Sequence, residues 1–278
     1  MSIELELLAK KLIDRIQSLE SVAIAFSGGV DSGVVAVAAY RALGNRAVAI
    51  TGVGSAVAQS ELSNAREVAK AIGIRHVELA THEIQDANYV RNDAARCYHC
   101  KTNLYSTLIR WTTENGYRSI LSGANFDDLG DYRPGLKAAS EHQVVNPLAE
   151  LEITKASVRR LANYFELSIA DKPASPCLAS RIAYGQSVTA ERLERIERAE
   201  HFLRGLGFMD VRVRLHADDL ARLEFSVEQI LKACESRNRQ AINAYMKSLG
   251  FQFVTMDLGG RQSGSLNQML PIIQTLER

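Results

Sequence analysis

The chain has 278 residues, room for one large domain or two modest ones. Apolar residues make up 46% and charged residues 23%, so a buried core is expected, while a formal charge of +1 leaves no electrostatic footprint for wholesale nucleic-acid binding. Four cysteines, at 97, 100, 177 and 234, are too few for a disulfide scaffold, and no run approaches the length needed to span a bilayer.

The first twenty residues are charged throughout and lack the uninterrupted apolar stretch of a signal peptide. Leu5, Leu8, Leu12, Ile16 and Leu19 recur at three- and four-residue steps, which predicts an amphipathic helix opening a soluble protein of the reducing cytoplasm. Val22 to Phe26 reads as a buried strand running into Ser27-Gly28-Gly29. A small-residue helix from Asp31 to Leu43 stops at Gly44-Asn45. A strand at 47–51, a helix at 59–72, a strand at 76–79, a helix at 102–114, a strand at 118–122 and a helix at 154–166 follow. This alternation predicts an α/β fold, a doubly wound parallel sheet whose ligands sit at the carboxyl ends of its strands.

From Asp171 the pattern changes. A loop bearing Pro, Ser and Gly (171–185) precedes a charged helix at 189–205, and Val211 to Leu215 alternates, with Val and Leu on one face and Arg212 and Arg214 on the other. A helix near 238–248 and a strand at 251–256 complete a smaller α+β unit. The expected domains are 1–185 and 186–278.

Ser27-Gly28-Gly29-Val30-Asp31-Ser32 carries the strongest local signal. Its glycines let backbone N–H groups approach an anion, and the following helix points its positive end at the same place. The two serines add donors, and Asp31 is suited to hold a magnesium ion or to cap the helix. Val34 stands where a P-loop needs lysine, and no G-x-G-x-x-G is present, leaving an ordinary Gly turn with an N-cap as the plain alternative. The hexapeptide resembles the PP-loop of N-type ATP pyrophosphatases. That resemblance implies ATP and Mg²⁺, adenylation of a carboxylate or carbonyl oxygen, and departure of pyrophosphate. Ser122 to Asp128, with Gly123 and Asp128, looks like the second nucleotide-side loop of that superfamily, or else is a turn with an Asx cap.

Cys97 and Cys100 form a C-x-x-C leading into a helix, and Cys177 lies in the Ser175-to-Arg181 loop. A C-x-x-C alone is open between metal site, redox pair and chance. Three cysteines can hold three irons of a 4Fe–4S cluster and leave the fourth iron open. Alternatively Cys177 is a nucleophile, with Arg181 and Lys172 near enough in sequence to lower its pKa. Cys234, in a helical run, is expected to be a small core residue.

Together SGGVDS, RCYHCK, GANFDD, PCLASR, DVRVR and DLGGRQSGSLN resemble the LarE family of pyridinium biscarboxylate mononucleotide sulfurtransferases over essentially the whole chain. The resemblance implies adenylation of a substrate carboxylate and its conversion to a thiocarboxylate during assembly of the nickel-pincer nucleotide cofactor. In one branch the sulfur comes from a sacrificed cysteine matching Cys177. With Cys97 and Cys100 also present, the chain looks like the branch whose three cysteines carry a 4Fe–4S cluster. The resemblance further implies a small mononucleotide substrate whose phosphate meets Arg212, Arg214 and Arg261 in the C-terminal domain, with Glu200 orienting them. The plain alternative for these arginines is a solvated strand face. Lys101 is placed to reach the nucleotide or the adenylate, or is an exposed helix lysine. A homo-oligomer is implied, as is a shared pathway with carboxylase and nickel-insertion enzymes. A tRNA thiolase, an amide-forming synthetase and a non-catalytic nucleotide sensor are the competing readings.

Overall fold

The computed structural model describes residues 3–130, 134–262 and 266. It comprises two compact units: residues 1–83 with 97–175, and residues 84–96 with 176–278. The second unit thus begins at 176 and takes a short excursion from the middle of the chain, where the sequence places one change at 185/186.

In chain order, the first unit runs α1 (Ile3–Gln17), β1 (Val22–Ala25), α2 (Val30–Leu43), β2 (Ala47–Val53), α3 (Gln59–Ile72) and β3 (Arg75–Ala80). The excursion carries α4 (Ala87–Val90). The chain then continues with α5 (Arg96–Asn115), β4 (Ser119–Leu121), α6 (Pro134–Glu141), α7 (Pro147–Glu150) and α8 (Lys155–Tyr164). All four strands are parallel, in the order β3-β2-β1-β4.

The side-chain alternation of these strands feeds two cores. Val22, Ile24, Ala47 and Ala49 pack with α1, α2 and α8, while Ala23, Val48 and Ile50 pack with Tyr105 and Leu108 of α5. Ala36, Ala38 and Ala39 on α2 meet alanines of β2, and this lack of bulk lets the helix lie close on the sheet. Because the chain winds one way from β1 to β3 and then crosses to β4, the topological switch point lies between β1 and β4, where such sheets bind ligands.

The second unit has α9 (Ala190–Gly205), β5 (Arg212–Leu215), β6 (Leu220–Glu224), α10 (Ile230–Cys234), α11 (Ser236–Ser248) and β7 (Phe253–Met256). The Thr189 hydroxyl caps α9 by accepting from the Arg192 N–H. β6 is the central strand, antiparallel to β5 and parallel to β7. Asn92, fully buried and at φ +58°, ties the excursion into this unit. Its amide donates to the carbonyls of Ala183 (2.9 Å) and Gln186 (2.8 Å) and accepts from Arg96 (2.6 Å).

One expectation is corrected: Cys234 is exposed, because the short α10 buries only Ala233. The plain alternative for the β5 arginines, a solvated strand face, does not hold, since every residue of the strand is buried. Ser263 to Ser265 and Asn267 of the C-terminal motif lie outside the described residues. Among the described residues no helix is long and apolar enough to cross a membrane.

Candidate active site

The phosphate loop is tied down on both flanks as it leaves β1. Phe26 donates its N–H to Ile50 of β2, and its carbonyl accepts from the Thr51 hydroxyl at 2.8 Å. Thr51 in turn meets His76 Nε2 at 2.8 Å, and burial holds the His76 imidazole below its usual pKa. Gly28 follows at φ +69°, a conformation costly for any residue with a Cβ, and a Cβ there would stand 2.6 Å from Ala65 Cα of α3. Asn64 of α3 donates to the Gly28 carbonyl at 2.8 Å. The Ser27 and Ser32 hydroxyls lie 3.1 Å apart, and Ser27 also receives the Gly29 N–H.

Gly29 is the N-cap of α2 and no side chain caps it, so the first N–H groups of that helix have no intrahelical acceptor and face the loop. Asp31 therefore does not cap. Its carboxylate accepts from Lys155 Nζ, at the start of α8, and from Asn125 Nδ2 at 3.2 Å.

The second loop meets the first at the switch point. A Cβ on Gly123 would stand 2.7 Å from Ser32 N and 3.0 Å from the Asp31 carbonyl carbon, so only glycine allows the two backbones to touch. Asp128 accepts from the Asn125 N–H at 3.0 Å, and Asp127 accepts from the Lys155 N–H at 2.8 Å. Lys155 is a site residue that the sequence reading missed. It closes a network joining Asp31, Asn125 and Asp127.

Cys97, Lys101 and Cys100 occupy the first turns of α5, rather than a loop before it. Three residues apart, the two cysteines lie on one side of the helix with Cβ atoms about 5–6 Å apart. Cys97 is exposed and Cys100 half-buried. The Lys101 stem runs against Gly135, and its ammonium stands 5.9 Å from the Tyr105 ring centroid. Lys172 pairs with Glu61 at 2.7 Å.

In the second unit, Cys177 is exposed at the head of a short 3₁₀ turn. Arg181 shapes this loop by donating to the carbonyls of Pro176 and Cys177, and is itself held by Glu200 at 2.9 Å, both side chains being buried. Glu200 also accepts from Arg204 and from the Val213 N–H. It therefore anchors Arg181 and β5 rather than pairing with Arg212 or Arg214. Arg214 pairs with Glu224 at 2.8 Å and donates to the Ser180 carbonyl at 2.9 Å. Arg222 of β6 binds Asp257 and Glu224, and Arg261 binds Asp210 at 2.7 Å.

Arg212 differs. It is 9% exposed, and its side chain has no hydrogen bond or ion pair to any described residue. Burial first, then the charges of Arg181, Arg261 and Arg214, push its guanidinium down to about 10, partly opposed by Glu200. It stays charged at neutral pH, and its surroundings call for an anion.

The asparagine synthase family matches residues 5–113, the stretch that holds the phosphate loop. An uncharacterised protein of Synechocystis sp. is 45% identical over 252 residues, 91% of this chain and 94% of that protein. The pyridinium-3,5-bisthiocarboxylic acid mononucleotide synthase of Lactiplantibacillus plantarum is 36% identical over 265 residues, 93% of each chain. The chain belongs to the LarE family. The tRNA-specific 2-thiouridylase MnmA of Xanthobacter autotrophicus is 30% identical over 216 residues, 63% of this chain and 55% of that enzyme. The LarE likeness read from the sequence motifs thus extends over both units.

The loop contact yields a direct test. Gly123→Ala is expected to force the second loop off α2, weakening ATP binding at least roughly tenfold and costing about 1–3 kcal/mol of stability. Gly130→Ala, where nothing lies within 4 Å of the new methyl, is expected to change neither. ATP titration and thermal unfolding check both, and a Gly123→Ala protein that binds ATP like wild type contradicts the assignment.

Proposed function

We propose that this LarE-family chain is an ATP-dependent sulfurtransferase that converts a carboxylate of pyridinium-3,5-biscarboxylic acid mononucleotide to a thiocarboxylate in nickel-pincer cofactor assembly. The observation that carries this reading is Arg212, a buried cation whose side chain has no ion pair to any described residue and which lies near the charges of three further arginines. A dianionic phosphate monoester, as on a mononucleotide, satisfies such a group. What favours this substrate over tRNA is the extent of likeness: 93% of both chains for the synthase, against 63% and 55% for the thiouridylase.

In this reading a substrate carboxylate oxygen attacks the α-phosphorus of ATP. The bond from that phosphorus to its β-bridging oxygen breaks, and pyrophosphate leaves. The open N–H groups of α2 and the hydroxyls of Ser27 and Ser32 stabilise the departing charge. Asp31 fits as the carboxylate that would hold Mg²⁺, a hard ion that takes one or two carboxylates plus phosphate oxygens; the ion would neutralise charge on the leaving group. Lys155 holds Asp31 in place, and Lys101 supplies a positive charge near the adenylate. A sulfur nucleophile then adds to the acyl carbon, the C–O bond to AMP breaks, and thiocarboxylate and AMP result.

Within each unit, no three described His, Cys, Asp or Glu side chains gather as a metal site. Cys97 and Cys100 nevertheless fit a cluster in donor chemistry and helical spacing, as two soft thiolates on one side of α5. With Cys177 they would hold a 4Fe–4S cluster, which when bound would supply sulfide at the iron lacking a protein thiolate. In the second route Cys177 itself attacks, and its Cβ–S bond breaks as the Cα proton is lost, leaving dehydroalanine. The domain roles follow: the first unit activates, the second holds the substrate phosphate and assembles a cytoplasmic homo-oligomer. Carboxylase and nickel-insertion enzymes act on either side of it.

Arg212→Ala is expected to weaken mononucleotide binding about tenfold or more while ATP binding is unchanged, both read by calorimetry. Loss of ATP binding contradicts the role given to Arg212. Anaerobically purified protein is expected to contain iron and sulfide, each lost in Cys97→Ala, Cys100→Ala and Cys177→Ala, with intact mass unchanged by turnover. Iron-free protein that loses the mass of hydrogen sulfide at Cys177 assigns the sacrificial route instead.

A further inference from the structure

Glu83 follows β3 at the carboxyl edge of the sheet, in the first unit, and the functional reading leaves it unused. It is 4% exposed, and no described residue gives its carboxylate a hydrogen bond or an ion pair. A carboxylate that accepts nothing from the described residues, at the carboxyl edge of the sheet, is placed to accept from a donor outside the chain. Its position says which donor. Gly54, just past β2, has the Glu83 carboxylate in the space of its missing side chain: a Cβ there would stand 2.1 Å from Glu83 Oε1 and 2.6 Å from Thr81 Oγ1. The pairing of Val53 with Ala80 and the Thr81 N–H bond to the Val53 carbonyl (3.1 Å) bring the ends of β2 and β3 together here.

The phosphate loop sits at the same edge, beyond β1. Strands are about 4.8 Å apart, so Glu83 lies on the order of 10 Å across the sheet from Ser27, roughly the reach of a nucleoside attached to phosphates held there. On the β4 flank Gly123 packs against the backbone of the first turn of α2, so a nucleotide whose phosphates sit at the β1/β4 crevice has room to extend its nucleoside toward the ends of β2 and β3.

We propose that Glu83 is the acceptor that reads the nucleoside end of ATP, receiving hydrogen bonds from the ribose hydroxyls or from the exocyclic amine of the base. This rests on the ATP reading above. Gly54 leaves the space that the carboxylate fills, and a bound nucleotide supplies its hydrogen-bond donor.

The test is calorimetric titration of the full chain with ATP, 2′-deoxy-ATP, 3′-deoxy-ATP and ITP, for wild type, Glu83→Gln, Glu83→Ala and Gly54→Ala. Wild type is expected to prefer ATP roughly 10- to 100-fold over the analogue that lacks the donor, the factor for a hydrogen bond to a charged group. In Glu83→Ala and Gly54→Ala that preference collapses to below about threefold, which is the coupling a direct contact produces. Collapse on the deoxy arms assigns ribose, and collapse on the ITP arm assigns the amine. Without nucleotide, Glu83→Gln is expected to melt no lower than wild type, whereas an acid kept for structure would lower the melting temperature on replacement. Equal discrimination by wild type and variants overturns the inference and leaves ATP use standing. A wild-type chain that binds no ATP overturns both.

Discussion

The backbone contact between Gly123 and the first turn of α2 is the constraint on which the first unit depends. A parallel sheet offers a ligand crevice only where its winding reverses, and here that place lies between β1 and β4. Two loops must converge there without a side chain between them. Gly123 permits the approach, and Asp31, Asn125, Asp127 and Lys155 lock it. The uncapped N-terminus of α2 is thereby held open toward the crevice, its N–H groups unspent by any side chain. His76, through Thr51, fixes the other shoulder of the same loop.

The second unit applies the opposite tactic, burying charge. Glu200 and Glu224 pair with Arg181 and Arg214 in the interior, Asp257 and Asp210 pair with the partly exposed Arg222 and Arg261, and the side chain of Arg212 has no ion pair to any described residue. Paired buried charges add little net stability, but they hold guanidinium groups in fixed directions. The same Glu200–Arg181 pair that borders Arg212 also grips the carbonyls on which Cys177 is mounted. The surroundings of Arg212 and the mounting of Cys177 therefore share one scaffold within this unit. Substituting Glu200 would disturb both.

Much of this was legible in the sequence, for physical reasons. The phosphate loop needs small residues and hydroxyls next to one another, so its chemistry survives as a contiguous string. The helices of the first unit bury broad apolar stripes, and α3 falls on the residues that periodicity predicts. β6 escaped because Arg222 and Glu224 break its apolar pattern, and only the fold shows that Glu224 is buried and that the two pair. Lys155 escaped because its partner, Asp31, is distant in sequence. Asn92 escaped because its value lies in carbonyls contributed by a later segment. Cys234 was misjudged because a five-residue helix has no room for a wide buried face.

The central claim is that the chain activates a carboxylate as its adenylate. Oxygen tracing tests that most directly. With substrate labelled with ¹⁸O in its carboxylates, one labelled oxygen is expected in each AMP released as the thiocarboxylate forms, because the attacking oxygen leaves with the nucleotide. Unlabelled AMP, or label in orthophosphate with ADP as the nucleotide product, would contradict the account.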